Sequence, residues 1–88
     1  MDKNTQLEKI QNEIINHLKK HGKLPKNNIS NFRYLDHGII DSLNLIKFII
    51  FLEKKFKIKL KAKETESDEF RYIIGLVKLI LKKINEKK

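Results

Sequence analysis

Cysteine is absent from the sequence. Its absence excludes a disulfide framework, a thiolate metal site and a cysteine nucleophile. Glycine occurs three times and never as a cluster, so there is no glycine-rich phosphate loop. No apolar run approaches the roughly 20 residues of a membrane span. The longest, Phe48 to Leu52, is far shorter. Met1 to Gln6 is polar and no apolar run follows it, so no signal peptide is expected and the expected location is the cytoplasm. There is no internal repeat, low-complexity tract, linker composition, cofactor fingerprint or paired-carboxylate arrangement. The expectation is a single domain over residues 1–88, with a modest core.

Acidic residues are also scarce, with 11 Asp and Glu against 20 Lys and Arg, a net charge of +9. Such a balance suggests nucleic acid or an acidic partner. Its distribution is uneven. Residues 1–41 carry +2, residues 42–63 carry +6 and residues 64–88 carry +1. The excess starts at the second apolar segment and runs through the strand-like K-I-K-L-K-A-K after it.

What is present is helical periodicity. Residues 4–21 place Leu7, Ile10, Ile14 and Leu18 on one face, widened by Ile15. Asn4 or Thr5 could cap this helix, with Glu8 at capping-box spacing from Thr5. Lys19, Lys20 and then Gly22 suit its end. Residues 22–41 form a long connection with Pro25, Asn27, Asn28, Ser30 and Asn31 as turn formers. A loop that long packs or functions. Leu24, Ile29, Phe32, Tyr34 and Leu35 are expected to pin it across the helix ends.

The second helix, 42–56, is apolar nearly all round. Leu45, Ile49, Leu52 and Phe56 form one stripe, broadened by Phe48 and Phe51, while Leu43, Ile46 and Ile50 fall on another side. A small domain cannot bury such a helix on every side, so a partner-facing patch follows from the pattern. Residues 57–63 alternate strictly, and an extended loop with Ile58, Leu60 and Ala62 turned inward is expected. A short helix over 64–70, capped by Thr65 or Ser67, leads into a last helix over 71–86. That helix lines up Ile73, Val77, Ile80 and Ile84, with Ile74, Leu76 and Leu81 flanking. Gly75 inside it points to a close approach.

Several residues could carry chemistry. Ser42 begins the second helix beside Asp41, and either residue suits a cap. A modified Ser42 would place an anion at the positive end of a helix dipole, and Asp41 could help hold a divalent cation during transfer of a phosphate-containing group. His17 and His21 have the spacing of a two-histidine half-site, but no third ligand is placed, so no metal site is expected. Two exposed histidines near a helix end are the better account. His37 lies close to Ser42 in sequence, yet nothing else resembles a hydrolase, and no enzyme activity is expected. A helix-turn-helix reading would set lysines around 47–63 on phosphates, but Asn44 and a few lysines are all the second helix offers to base edges, so nucleic acid is not the expected partner.

Taken together, G-I-I-D-S-L followed by an apolar helix ending L-E-K-K-F-K-I-K-L resembles the acyl carrier and peptidyl carrier protein family. The family's pattern of Asp-Ser-Leu, Leu-Glu-x-x-Phe and a following Ile is matched by Asp41-Ser42-Leu43, Leu52-Glu53 with Phe56, and Ile58. D-E-F-R-Y-I-I-G-L-V-K-L-I is similar to its short third helix leading into the fourth. The likeness spans essentially the whole chain. It implies an all-α four-helix bundle of acyl-carrier type, with a long first loop and a short third helix. It also implies a monomeric stand-alone carrier that catalyses nothing itself. Ser42 would carry 4′-phosphopantetheine from coenzyme A, attached by a phosphopantetheinyl transferase with magnesium, with Asp41 in support. The cargo would be an acyl or aminoacyl thioester, loaded by a ligase and passed to an acyltransferase or synthase of fatty-acid, polyketide, nonribosomal-peptide or surface-polymer biosynthesis. Leu43, Ile46, Lys47, Ile50 and Lys54 would face those partners. One departure stands out: the family's fatty-acid carriers have an acidic second helix, whereas here Lys47, Lys54 and Lys55 accompany a single acid, Glu53. Ordinary fatty-acid enzymes are therefore expected to serve this chain poorly. The alternative expectation is a carrier-like fold used unmodified as a basic interaction module for nucleic acid or an acidic protein.

Overall fold

The computed structural model describes residues 3–86, and its regular structure there is entirely helical. In chain order the α-helices are α1 (Lys3–Leu18), α2 (Ser42–Phe56), α3 (Ala62–Thr65) and α4 (Ile73–Glu86), with 3-10 turns at Ile29–Asn31 and Asp68–Arg71. This is the expected four-helix bundle with a long first loop and a short third helix. No helix among the described residues is long and apolar enough to cross a membrane.

The apolar periodicity sets the packing. Ile10, Ile14 and Leu18 of α1 meet Phe48 and Leu52 of α2 and a nearly continuous apolar face of α4, where Ile73, Leu76, Val77 and Ile80 are fully buried. Tyr34 and Ile40 from the long loop, Ile58 after α2 and Phe70 from the second 3-10 turn complete the core. Among the described residues no polar or charged residue is buried. Within α2 the deepest side chains are Phe48 and Leu52. Leu45, Ile49, Phe51 and Phe56 are half-buried around them.

Several boundaries differ from the sequence reading. α1 is already formed at Lys3, so both Asn4 and Thr5 lie inside the helix and neither is its N-cap. α1 stops at Leu18 rather than at 21. Its C-terminus closes through Lys20 N–H to the His17 carbonyl (3.2 Å) and His21 N–H to the Leu18 carbonyl (2.9 Å), which are i→i−3 bonds tightening the last turn. Gly22 is not the left-handed terminator expected of it. Gly38 is the glycine with positive φ, at 69°. The short helix expected over 64–70 is divided. One α turn spans 62–65 and a 3-10 turn spans 68–71, while Ala62 is exposed rather than tucked in. Thr65 and Ser67 do not cap it. Their hydroxyls donate backward to the carbonyls of Ala62 (3.1 Å) and Glu64 (2.7 Å). The N-terminal cap role falls to Glu64, whose carboxylate accepts from Lys61 N–H at 2.8 Å and also pairs with Lys83 of α4 at 3.0 Å.

α2 ends on Lys57 in the left-handed conformation, with the Ile58 N–H reaching the Glu53 carbonyl at 3.1 Å. The Glu53 carboxylate then accepts from Leu60 N–H at 2.9 Å. These bonds hold the alternating segment extended and turn Ile58 into the core.

Gly75 fulfils its expectation of a close approach. A Cβ there would lie 2.5 Å from the Glu69 carbonyl oxygen and 2.8 Å from the Tyr72 ring. Because the nearer obstacle is backbone, it cannot swing aside. Gly75→Ala should therefore destabilise the fold by about 1–3 kcal/mol, despite alanine's better helix propensity. Urea unfolding of the variant checks this, and a midpoint at or above wild type would contradict it.

Candidate functional site

The site is built at the junction between the long loop and α2. Asp41 takes the N-cap, with extended backbone (φ −87°, ψ 178°), and its Oδ1 accepts from Asn44 N–H at 2.8 Å. The two capping candidates are thereby separated: Asp41 caps, and Ser42 is the first helical residue. Ser42 is exposed, and its hydroxyl makes no hydrogen bond among the described residues. The other two serines are committed. Ser30 Oγ donates to Gln11 Oε1 at 3.1 Å and Ser67 Oγ to the Glu64 carbonyl. With Asp41 on the Asn44 N–H, the backbone N–H groups of Ser42 and Leu43 remain at the open end of the helix, where the dipole favours an anion.

The loop that delivers this junction is clamped from the far side of the sequence. Arg33 pairs with Asp36, and Arg71 reaches the same carboxylate through Nε at 2.9 Å. Arg33 also holds Asp68 at 2.5 Å and lies over the Tyr72 ring, 5.5 Å from its centroid. Beneath this network the buried Tyr34 hydroxyl donates to the Phe70 carbonyl, and Ile73 N–H donates to the Phe32 carbonyl at 3.1 Å. The guanidinium of Arg71, then that of Arg33, holds the Asp36 carboxyl below its usual range, and Arg33 does the same for Asp68. Burial pushes the Tyr34 hydroxyl up, so it stays a neutral donor. The sequence reading missed this clamp. Its signal was present as two opposite-charge pairs in reversed order, Arg33…Asp36 and Asp68…Arg71, each at a spacing of three.

The residues expected to face partners lie in solvent. Leu43, Ile46 and Ile50 are 63%, 57% and 46% exposed, the large apolar side chains that α2 leaves in solvent. Lys47 and Lys54 are exposed beside them. Lys55 instead turns to α1 and pairs with Glu13 at 3.5 Å.

His17 and His21 are only partly exposed, not the exposed pair expected. His17 is not exposed. Its ring stacks on Phe51 (4.5 Å) and Phe48 (5.1 Å), and its Nε2 is enclosed without a partner. His21 lies against it at 5.3 Å, and no group of three metal-ligating residues occurs among the described residues. His37 is tied to its own loop, with Nδ1 3.0 Å from the Arg33 carbonyl and the ring on Phe32, and no hydrogen bond joins it to Ser42.

Burial, then His21 and Lys20, lowers the His17 pKa from its ordinary 6.5. A lowered folded-state value means that the unfolded chain takes up the proton first. The neutral ring's contribution is complete above pH 6.5 and is lost as pH falls from there toward the lower folded value. Asp36, Asp68 and Glu64, all held low by their partners, act only further down the scale. The melting temperature should therefore fall as the pH drops below 6.5, and His17→Leu should flatten that slope. An unchanged slope in the variant would assign the effect elsewhere.

Compared with protein-family models, with characterised proteins and with solved structures, the chain gives no match in any of the three.

Proposed function

We propose that the protein is a stand-alone acyl or aminoacyl carrier whose prosthetic arm, 4′-phosphopantetheine, is attached to Ser42. One observation supports this most: of the three serines, Ser42 alone is both exposed and free of hydrogen bonds, and it opens α2 within an Asp-Ser-Leu sequence. The donor set suits a phosphodiester. The hydroxyl is unencumbered, two backbone N–H groups point out of the helix end, and the neighbouring carboxylate already spends one oxygen on Asn44. The second Asp41 oxygen could help position a divalent cation while the group is transferred. When attached, the arm supplies the thiol that a cysteine-free chain lacks. The chain's own part is to hold the attachment point rigid through the Arg33–Asp36–Arg71 clamp and to present the face of α2 to loading and accepting enzymes.

A second reading has an observation behind it. The six net positive charges over residues 42–63 would suit an unmodified basic interaction module. Intact mass after co-expression with a broad-specificity phosphopantetheinyl transferase separates the two. A gain of one phosphopantetheine group supports the carrier. No gain, with strongly salt-dependent binding to nucleic acid, supports the module.

A further inference from the structure

The exposed side of α2 has a composition that narrows what can cover it. Leu43, Ile46, Lys47, Ile50 and Lys54 fall, at about 100° per residue, within a sector roughly 100° wide. Leu52, one of the two fully buried residues of the helix with Phe48, lies on the opposite side. The stripe is therefore turned away from the core and no element of the bundle can cover it. Its apolar part spans residues 43–50, the half of the helix nearest Ser42, and its charges lie beside and beyond that part. Neither Lys47 nor Lys54 forms an ion pair among the described residues. The nearby acid on the helix, Glu53, is engaged with the Leu60 N–H. The rim therefore carries two unpaired cations against one carboxylate, and its net charge is positive.

We propose that this stripe docks a partner protein presenting an apolar ridge bordered by Asp or Glu side chains. A second copy of the chain would bring the same lysines and another net +9, so like charges would face each other. Nucleic acid would cover three aliphatic side chains that have nothing to donate to phosphate or base edges. A lipid surface is met best by aromatic anchors, and α2 turns its own inward: Phe48 is fully buried, and Phe51 and Phe56 are half-buried. An apolar centre with a charged rim is the anatomy of a protein interface. Three side chains make a small one, so the contact is transient. The rim charges act mainly on encounter rate and choice of partner. The surface stands whether or not Ser42 is modified.

The test is an NMR titration of the full-length chain carrying Ser42→Ala, which keeps docking separate from modification. Two synthetic helical peptides share one leucine stripe, and one is rimmed with Glu, the other with Lys. The Glu-rimmed peptide should shift amide resonances of residues 43–54 and bind at least about fivefold more tightly than its Lys-rimmed counterpart at low salt. The difference should shrink at about 0.5 M salt. Lys47→Glu with Lys54→Glu should invert the preference. Leu43→Gln, which leaves the rim intact, should weaken both peptides and serves as the second variant should the first not fold. Equal or absent binding of the two peptides, or shifts mapping away from α2, would overturn the proposal. So would stronger shifts of the stripe by phosphatidylglycerol vesicles or a DNA duplex at matched concentration.

Discussion

Ser42→Ala is expected to abolish the mass gain of the co-expressed chain completely while leaving the fold's stability within about 0.5 kcal/mol of wild type. Both halves follow from the geometry. The hydroxyl is exposed and carries no hydrogen bond, so its removal leaves no unsatisfied group and no cavity. Alanine is also well tolerated within a helix. Ser30 and Ser67 are half-buried and engaged, so neither is placed to substitute as acceptor. Asp41→Ala gives the complementary result. It removes the side chain that accepts from Asn44 N–H and should cost about 1 kcal/mol. Intact mass spectrometry and urea unfolding on the same samples separate the two roles. A gain that persists in Ser42→Ala would remove Ser42 as the attachment point. A loss of stability there comparable to that of Asp41→Ala would return it to the role of a cap.

Phe48→Ala should have the largest effect on stability, about 3–5 kcal/mol. Its ring is fully buried and stands at the centre of an aromatic cluster, 5.1 Å from His17, 5.9 Å edge-on from Tyr34 and 6.5 Å from both Phe51 and Phe70. It thereby joins α1, the long loop, α2 and the second 3-10 turn. No neighbour can collapse into the space without giving up its own contacts. A domain of this size has a total stability of about 4–13 kcal/mol, so the variant should be largely unfolded in modest urea. Leu43→Ala, one of the stripe residues on the same helix, should change stability by no more than about 0.5 kcal/mol. Comparable losses in the two variants would mean that α2 is oriented differently from the structure.

The contrast between those two residues shows how far periodicity reads. Phe48 and Leu43 are both large apolar side chains on one helix, and the spacing alone assigned them to different sides. Periodicity ranked them less well. It set Leu45, Ile49, Leu52 and Phe56 as the main stripe and Phe48 as an addition, whereas the structure buries Phe48 and Leu52 most deeply. A stripe gives a direction, but depth depends on what stands opposite, and opposite Phe48 stand Tyr34 and Phe70 from distant segments. His17 was misread for the same reason. On its own helix it borders the charged end of α1, and only the position of α2 places two phenylalanine rings against it.

The sequence by itself determined the local and periodic features. These are the helices and their apolar faces, the start of α2 at Ser42, the exposure of Leu43, Ile46 and Ile50, and the tight approach at Gly75. Each depends on neighbours within a few turns, which spacing encodes directly. Only the tertiary structure decided the rest. It joined Arg33 and Asp36 to Asp68 and Arg71, and Tyr34 to the Phe70 carbonyl, across about 35 positions of the chain. It enclosed His17, and it gave the cap to Asp41 so that the Ser42 hydroxyl stays unbonded. Those outcomes depend on which distant segments meet and at what angle, and that is fixed by the packing of α1, α2 and α4 around a shared core.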